Sequence, residues 1–329
     1  MTLPPALVDG LRLPLVGSPL FILSGPDLVI AQCKAGIIGS FPSLNARPQG
    51  VLREWLRRIQ VELAEHDTSN PGAPSARHAV NLIVHKSNDR LMADLDTIVE
   101  FRVPIVITSL GARPEVNAAV HSYGGIVLHD VIDNSFARKA IDKGADGLIA
   151  VAAGAGGHAG MQSPFALLQE IRTWFDGPLL LSGSIAHGRS ILAAQAAGAD
   201  LAYAGTVFIA TDEANSDHAY KDMIVDSTAS DIVYSNLFTG VHGNYLRGSI
   251  VAAGLDPDNL AESNPSVMDF STGAGTSSGG VSRKKAWRDI WGAGQGVGVV
   301  ESIVPVQRLV DRLHNEYVEA RRQLADLHT

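Results

Sequence analysis

The chain is poor in several features, and each shortage excludes something. It has a single cysteine, Cys33, in 329 residues, so no intrachain disulfide framework exists and the thiol usage fits a reducing, cytoplasmic setting. Basic residues are outnumbered, 26 Lys and Arg against 34 Asp and Glu, for a net charge of −8. That balance argues against nucleic acid and against an anionic membrane surface as partners. No uninterrupted apolar run approaches the roughly eighteen residues that a membrane span needs. The apolar N-terminal stretch "LPLVGSPLFIL" is broken by Pro14 and Pro19 and has no basic flank, so it is a poor targeting signal. No His, Cys, Asp and Glu grouping has metal-ligand spacing, so no metal is expected. No nucleophile elbow sits between a strand and a helix, which leaves hydrolase chemistry without a visible nucleophile.

What the chain does have is a large apolar fraction, 46% against 18% charged, enough for a sizeable core. From residue 11 to 210 short apolar runs alternate with helix-like segments. The runs are "LPLV" (13–16), "GIIGSF" (36–41), "HAVNLIV" (78–84), "PIVITSL" (104–110), "GIVLHD" (125–130), "GLIAVAA" (147–153), "PLLLSG" (178–183) and "LAYAGT" (201–206). Being continuous rather than alternating, they read as parallel strands buried on both faces. Segments such as "PQGVLREWLRRIQVELAEH" and "HGRSILAAQAAG" read as amphipathic helices between them, several ending on a glycine stop. Eight strands joined by crossovers predict an α/β fold, a closed (β/α)8 barrel, with an open doubly wound sheet as the alternative. Residues 211–286 lose the strand rhythm and read as an appended, mainly helical lid subdomain. Residues 287–329 read as a segment and helix packing back on the barrel, through Val306, Leu309, Val310, Leu313 and Tyr317 at helical spacing.

The stretch "GLIAVAAGAGGHAGMQSP" (147–164) contains G-x-G-x-x-A at Gly154, Gly156 and Ala159, a dinucleotide fingerprint at first sight. That fingerprint needs a helix directly after the glycine turn and an acidic residue closing the next strand. Here the helix starts at Ser163-Pro164, and the next strand closes on Ser182, Gly183 and Ser184. The dinucleotide reading fails on both counts. Instead, His158 ends a strand where such barrels place catalytic groups, and glycines beside it permit close approach of a flat ligand. A satisfied structural histidine is the bland alternative. Gly183 and Ser184 after the seventh barrel strand, and Gly205 and Thr206 after the eighth, occupy the loops that commonly hold phosphate. Asn81 interrupts an apolar run, and a buried amide needs partners, from backbone or from a ligand. His129 closes the fifth strand in a comparable position.

These motifs together resemble the nitronate monooxygenase (2-nitropropane dioxygenase-like) family of FMN-dependent TIM-barrel enzymes, which includes flavin-containing enoyl-acyl-carrier-protein reductases. The resemblance runs through "GSPLF", "VNL", "GAGGHAG", "LSGSIAHGRSILAAQAAGAD" and "AGTVFIAT", and resumes in "WGAGQGVGVV" at 291–300. It implies non-covalent FMN in the barrel mouth, its ring against Gly17, Ser18 and Pro19, with Asn81 on the ring or ribityl chain. The phosphate would sit on Gly183, Ser184, Gly205 and Thr206, with Gly156, Gly157, Ser182 and Gln295 nearby. His158 matches the family's histidine beside the flavin. His129 stands where many relatives carry Lys or Gln, and His242, Asn244 and Tyr245 of "FTGVHGNYLRGSIVAAGLDP" fall where substrate is expected. The implied activity is oxidation of alkyl nitronates, and of nitroalkanes after proton removal, with O2; a homodimer is compatible with it. The alternatives are an NAD(P)H-dependent FMN reductase of quinones or enoyl thioesters, a flavin-free sugar-phosphate lyase or isomerase, and a non-catalytic binding module.

Overall fold

The computed structural model describes residues 3–263 and 289–326. Eight strands form the barrel: β1 (Leu15–Gly17), β2 (Gly39–Pro42), β3 (His78–Ile83), β4 (Ile105–Ser109), β5 (Ile126–Val131), β6 (Gly147–Val151), β8 (Leu179–Ser182) and β9 (Leu201–Ala204). All neighbours are parallel, in the order β1-β9-β8-β6-β5-β4-β3-β2. The bridge between Val16 and Ile38 joins the two ends. Its hydrogen bonds are Gly17 N–H to Ile38 O (2.8 Å) and Ile38 N–H to Leu15 O (3.1 Å). The sheet therefore closes, which decides between the barrel and the open sheet. Each of the eight strands falls on one of the apolar runs.

Side-chain alternation sorts every strand into an inner and an outer face. Inside, Val16, Ile38, Ala79, Ile105, Ile107, Leu128, Ile149, Leu180, Leu201 and Tyr203 pack into one cluster, joined by Leu7 from the turn Pro5–Leu7. Outside, Val80, Leu82, Val106 and Val127 meet the surrounding helices on one side, and Leu148, Ala150, Leu179 and Ala202 on the other. A fully buried leucine such as Leu180 contributes about 1.5–3 kcal/mol, so both layers favour this register over a slip by one residue.

The helix stops behave as glycine stops should. Gly36, Gly144 and Gly198 follow helices Pro26–Lys34, Asn134–Asp142 and Gly188–Ala196, all with left-handed φ (+85°, +94° and +108°). Cys33 is fully buried in the first of these helices, and burial pushes its thiol up to about 12, so it is a core residue rather than a nucleophile. The C-terminal helix Val306–Asp326 buries Val306, Leu309, Val310, Leu313 and Tyr317. It lies so close to helix Gly188–Ala196 that a Cβ on Gly188 would sit 2.2 Å from Tyr317 N.

Beyond the barrel, residues 211–263 contain the helices His218–Asp226 and Arg247–Ala252. They also contain an antiparallel hairpin, β10 (Ile232–Ser235) and β11 (Gly243–Leu246), that the sequence pattern did not reveal. The hairpin gains a third strand from the barrel loop itself: β7, Gly157–His158, pairs with Asn244 and Gly243. Its short strands pack on a small core of Phe238, Tyr245, Ile250 and Ile290, too brief to show period-two alternation. The Gly- and Ser-rich stretch 271–280 lies outside the described residues.

Candidate active site

The apolar filling of the barrel stops one layer below the carboxyl ends of the strands. Above it the inward positions turn polar: Ser40 on β2, Asn81 on β3, Ser109 on β4, Asp130 on β5 and Ser182 on β8. Three of these are linked. Asn81 Nδ2 donates to Ser109 Oγ (2.7 Å) and to Ile107 O (3.1 Å), and Ser109 Oγ donates to Asp130 Oδ2 (2.5 Å). Ser40 Oγ donates to Gly17 O (2.5 Å), tying the loop after β1 to the same layer. A polar layer half-buried in this way costs stability unless its bonds are met, so its place at the mouth marks a site.

The loops around this layer interlock through missing side chains. A Cβ on Gly205 would meet Ser18 Oγ at 2.5 Å, and one on Gly154 would meet Ser184 Oγ at 2.3 Å and Gln295 Oε1 at 3.1 Å. A Cβ on Gly156 would strike Gly294 N at 2.7 Å and Thr206 Oγ1 at 3.2 Å. Gly294 N–H donates to Thr206 Oγ1 (2.8 Å), and Gln295 N–H donates to Gly154 O (2.9 Å). Ser18, Gly156, Ser184, Gly205, Thr206 and Gln295 thus meet in one cluster, although the chain brings them from five separate loops. Gly183 and Ser184 both have positive φ, +139° and +54°, so the backbone after β8 turns sharply there.

Two of the loop's glycines meet protein where a side chain would stand. The clearance at Gly154 and Gly156 is filled by Ser184, Gln295 and Gly294, which is protein packing. Of Gly154, Gly156 and Gly157, the last, at φ +66°, alone has nothing within 4 Å of its absent side chain.

His158 ends β7, half-buried between the mouth and the hairpin. Its Nε2 lies 3.1 Å from Thr239 Oγ1. That hydroxyl in turn lies 2.9 Å from Val241 O. Burial holds the ring's pKa down to about 4, which keeps it neutral near pH 7.

Of the hairpin residues, Asn244 is committed to structure, its Nδ2 donating to Ala155 O (2.6 Å). His242 is exposed and stacks on Tyr234 with ring centroids 5.0 Å apart. Tyr245 is buried edge-on to Phe238, and burial pushes its phenol up to about 12. His129 does not reach the mouth. It shares the outer face of β5 with Val127 and Val131, its Nδ1 2.6 Å from Thr108 Oγ1, and burial lowers its pKa to about 4. The residue of β5 that faces inward is its neighbour Asp130. Strand parity could have found it, because Asp130 lies two and four positions from Leu128 and Ile126, but a continuously apolar run gives no contrast from which to read parity.

Fold and mouth together define a (β/α)8-barrel enzyme working at the carboxyl ends of its strands. The family profile described as nitronate monooxygenase matches residues 57–316, and the chain belongs to that family. It is accordingly a flavin-dependent oxidoreductase. The nitronate monooxygenase of Paraburkholderia phytofirmans is 24% identical over 359 aligned positions, covering 96% of this chain and 95% of that one. A protein described as a monooxygenase from Mycobacterium tuberculosis is 26% identical over 240 residues, 71% of this chain but only 64% of the relative's length. A Rhodococcus jostii protein named as a hydroxy-methyl-oxo-octahydroindene-carboxyl-CoA dehydrogenase is 25% identical, covering 76% and 67%. Among solved structures, nitroalkane oxidase from Streptomyces ansochromogenes superposes with a TM-score of 0.78 at 24% identity, covering 97% and 99%. FabK from Thermotoga maritima gives 0.76 at 22%, covering 98% of each chain. No helix among the described residues is long and apolar enough to cross a membrane.

Proposed function

We propose that the protein is an FMN-dependent oxidase of alkyl nitronates, and of the parent nitroalkanes, with O2 as co-substrate. The observation that carries this reading is a neutral His158, its Nε2 against Thr239, held on a glycine-flanked strand above a polar barrel mouth. The mouth suits a flavin on its own chemistry: the open face at Gly157 accepts a flat ring, and the buried Oδ1 of Asp130 has no partner among the described residues. Gly17, Ser18, Pro19, Asn81 and Ser182 would hold the ring, and Gly183, Ser184, Gly205, Thr206 and Gln295 the phosphate. When bound, the flavin supplies the electron acceptor.

His158 then has two tasks. Toward a nitroalkane, the imidazole takes the α-proton, and the imidazolium so formed stays beside the nitronate as its counter-charge. Toward a nitronate supplied as such, the anion raises the ring's pKa, and the ring takes its proton from solvent instead. Thr239 anchors the ring through Nε2 in both cases, while the hairpin covers one side of His158. Tyr245 and His242 would border the substrate.

A second reading is reduction or oxidation of an acyl thioester with a nicotinamide partner. It is favoured by the carboxyl-CoA dehydrogenase relative and by the exposed apolar side chains Met161 and Phe165 (78% and 59% exposed) just beyond His158. One experiment separates these. The purified protein should be yellow and release FMN on heating, and anaerobic addition of an alkyl nitronate should bleach it. Bleaching by NADH and not by nitronate would select the second reading, and a protein that takes up no flavin would overturn both.

A further inference from the structure

Among the described residues, Asp130 is the one carboxyl group on the inner face of the barrel mouth. Its Oδ2 is held by Ser109, itself held by Asn81, and its Oδ1 is buried with no hydrogen-bond partner among the described residues. Among the described residues, the groups facing it bring no positive charge. From β4 and β3 come Ser109 and Asn81, and from β6 the apolar Ile149 and Val151. From β9 comes Tyr203, whose phenol is pushed up by burial and then by Asp130 itself. His129, next in sequence, faces the opposite side toward Thr108.

Resting on the flavin reading above, we propose that Asp130 is a cofactor-binding residue that acts as a carboxylic acid, so that flavin binding in the mouth takes up one proton onto its Oδ1. Ser109 occupies Oδ2 as a donor, so Oδ1 is the oxygen left to carry the proton and to donate it to a ring acceptor. Burial already pushes this carboxyl up to about 6, against the hydrogen bond from Ser109, which lowers it. An uncharged ring seated over the mouth removes the remaining solvent and favours the neutral acid further. The proton comes from solvent, and no bond other than O–H forms.

The linkage sign follows. A site that binds flavin only when Asp130 is protonated loses affinity as pH rises above the free group's pKa, by about tenfold per pH unit. With that pKa near 6, Kd should weaken about 50-fold between pH 6 and 8. The test titrates the full-length chain, stripped of flavin, with FMN across pH 5–8, following quenching of flavin fluorescence. The FMN phosphate also titrates in this range, but equally in wild type and in Asp130→Asn, so the ratio of the two profiles isolates Asp130. Wild type should weaken relative to Asp130→Asn as pH rises, and Ser109→Ala should move the break to higher pH.

Should Asp130→Asn fail to fold, calorimetry of wild type with riboflavin, which has no phosphate, still decides the matter. In two buffers of different ionisation enthalpy it should report close to one proton taken up per riboflavin at pH 7. Parallel pH profiles, or no proton uptake with riboflavin, would overturn the role of Asp130 while leaving the flavin reading intact. Absence of FMN binding at every pH would instead overturn the flavin reading itself.

Discussion

Exchange of Gly156 for alanine tests whether the glycine loop is shaped by protein packing. The added methyl would lie 2.7 Å from Gly294 N, 3.0 Å from Ala293 C and 3.2 Å from Thr206 Oγ1. Two of these atoms are backbone, so the return segment must move rather than a side chain swing aside. Overpacking of this kind costs about 1–3 kcal/mol. The shift also breaks the bond from Gly294 N–H to Thr206 Oγ1, worth about 1 kcal/mol more. Gly157→Ala is the matched control. Nothing lies within 4 Å of its new methyl, and only the left-handed φ of +66° opposes it, at about 1–2 kcal/mol. Thermal unfolding of the two variants in parallel should rank Gly156→Ala clearly below Gly157→Ala, with earlier flavin release. Equal melting points, or the reverse order, would refute the assignment of Gly156 to packing.

Other expectations follow from the same contacts. Thr206→Val removes the acceptor for Gly294 N–H and should cost about 1–3 kcal/mol in urea unfolding; combined with Ser184→Ala it should also weaken FMN retention in dialysis, and tight retention would count against the phosphate site. Arg90→Met strands Asp94, which is 0% exposed and pushed up by burial, and should cost about 3–5 kcal/mol in the same assay. His78, His129 and His158 are each lowered by burial from 6.5 to about 4, so the unfolded chain binds more protons between those values. Their stabilisation is complete above about pH 6.5 and falls away as pH drops toward 4, which urea midpoints measured at several pH values should record.

The barrel was legible because burial on both faces leaves a continuous apolar run, and eight such runs are hard to mistake. Helix ends at Gly36, Gly144 and Gly198 were legible for a local reason, the left-handed φ that glycine tolerates. The site was legible only in part. "GAGGHAG" marked His158, but Gly154 and Gly156 answer to Ser184 and Gly294, partners brought near by the fold and invisible to local pattern. The same limit hid the hairpin, where Gly243 and Asn244 find strand partners in Gly157 and His158, some 85 residues earlier. At the end of β5 the pattern pointed to His129, because histidine is the more conspicuous residue; one step of strand parity places Asp130 in the mouth instead.

The central claim, that His158 is the proton acceptor beside a bound flavin, is tested most directly by anaerobic stopped-flow reduction with a neutral nitroalkane. Wild type should bleach, while His158→Ala should bind FMN with unchanged affinity and bleach at least about 100-fold more slowly. Equal bleaching rates in the two proteins would contradict it.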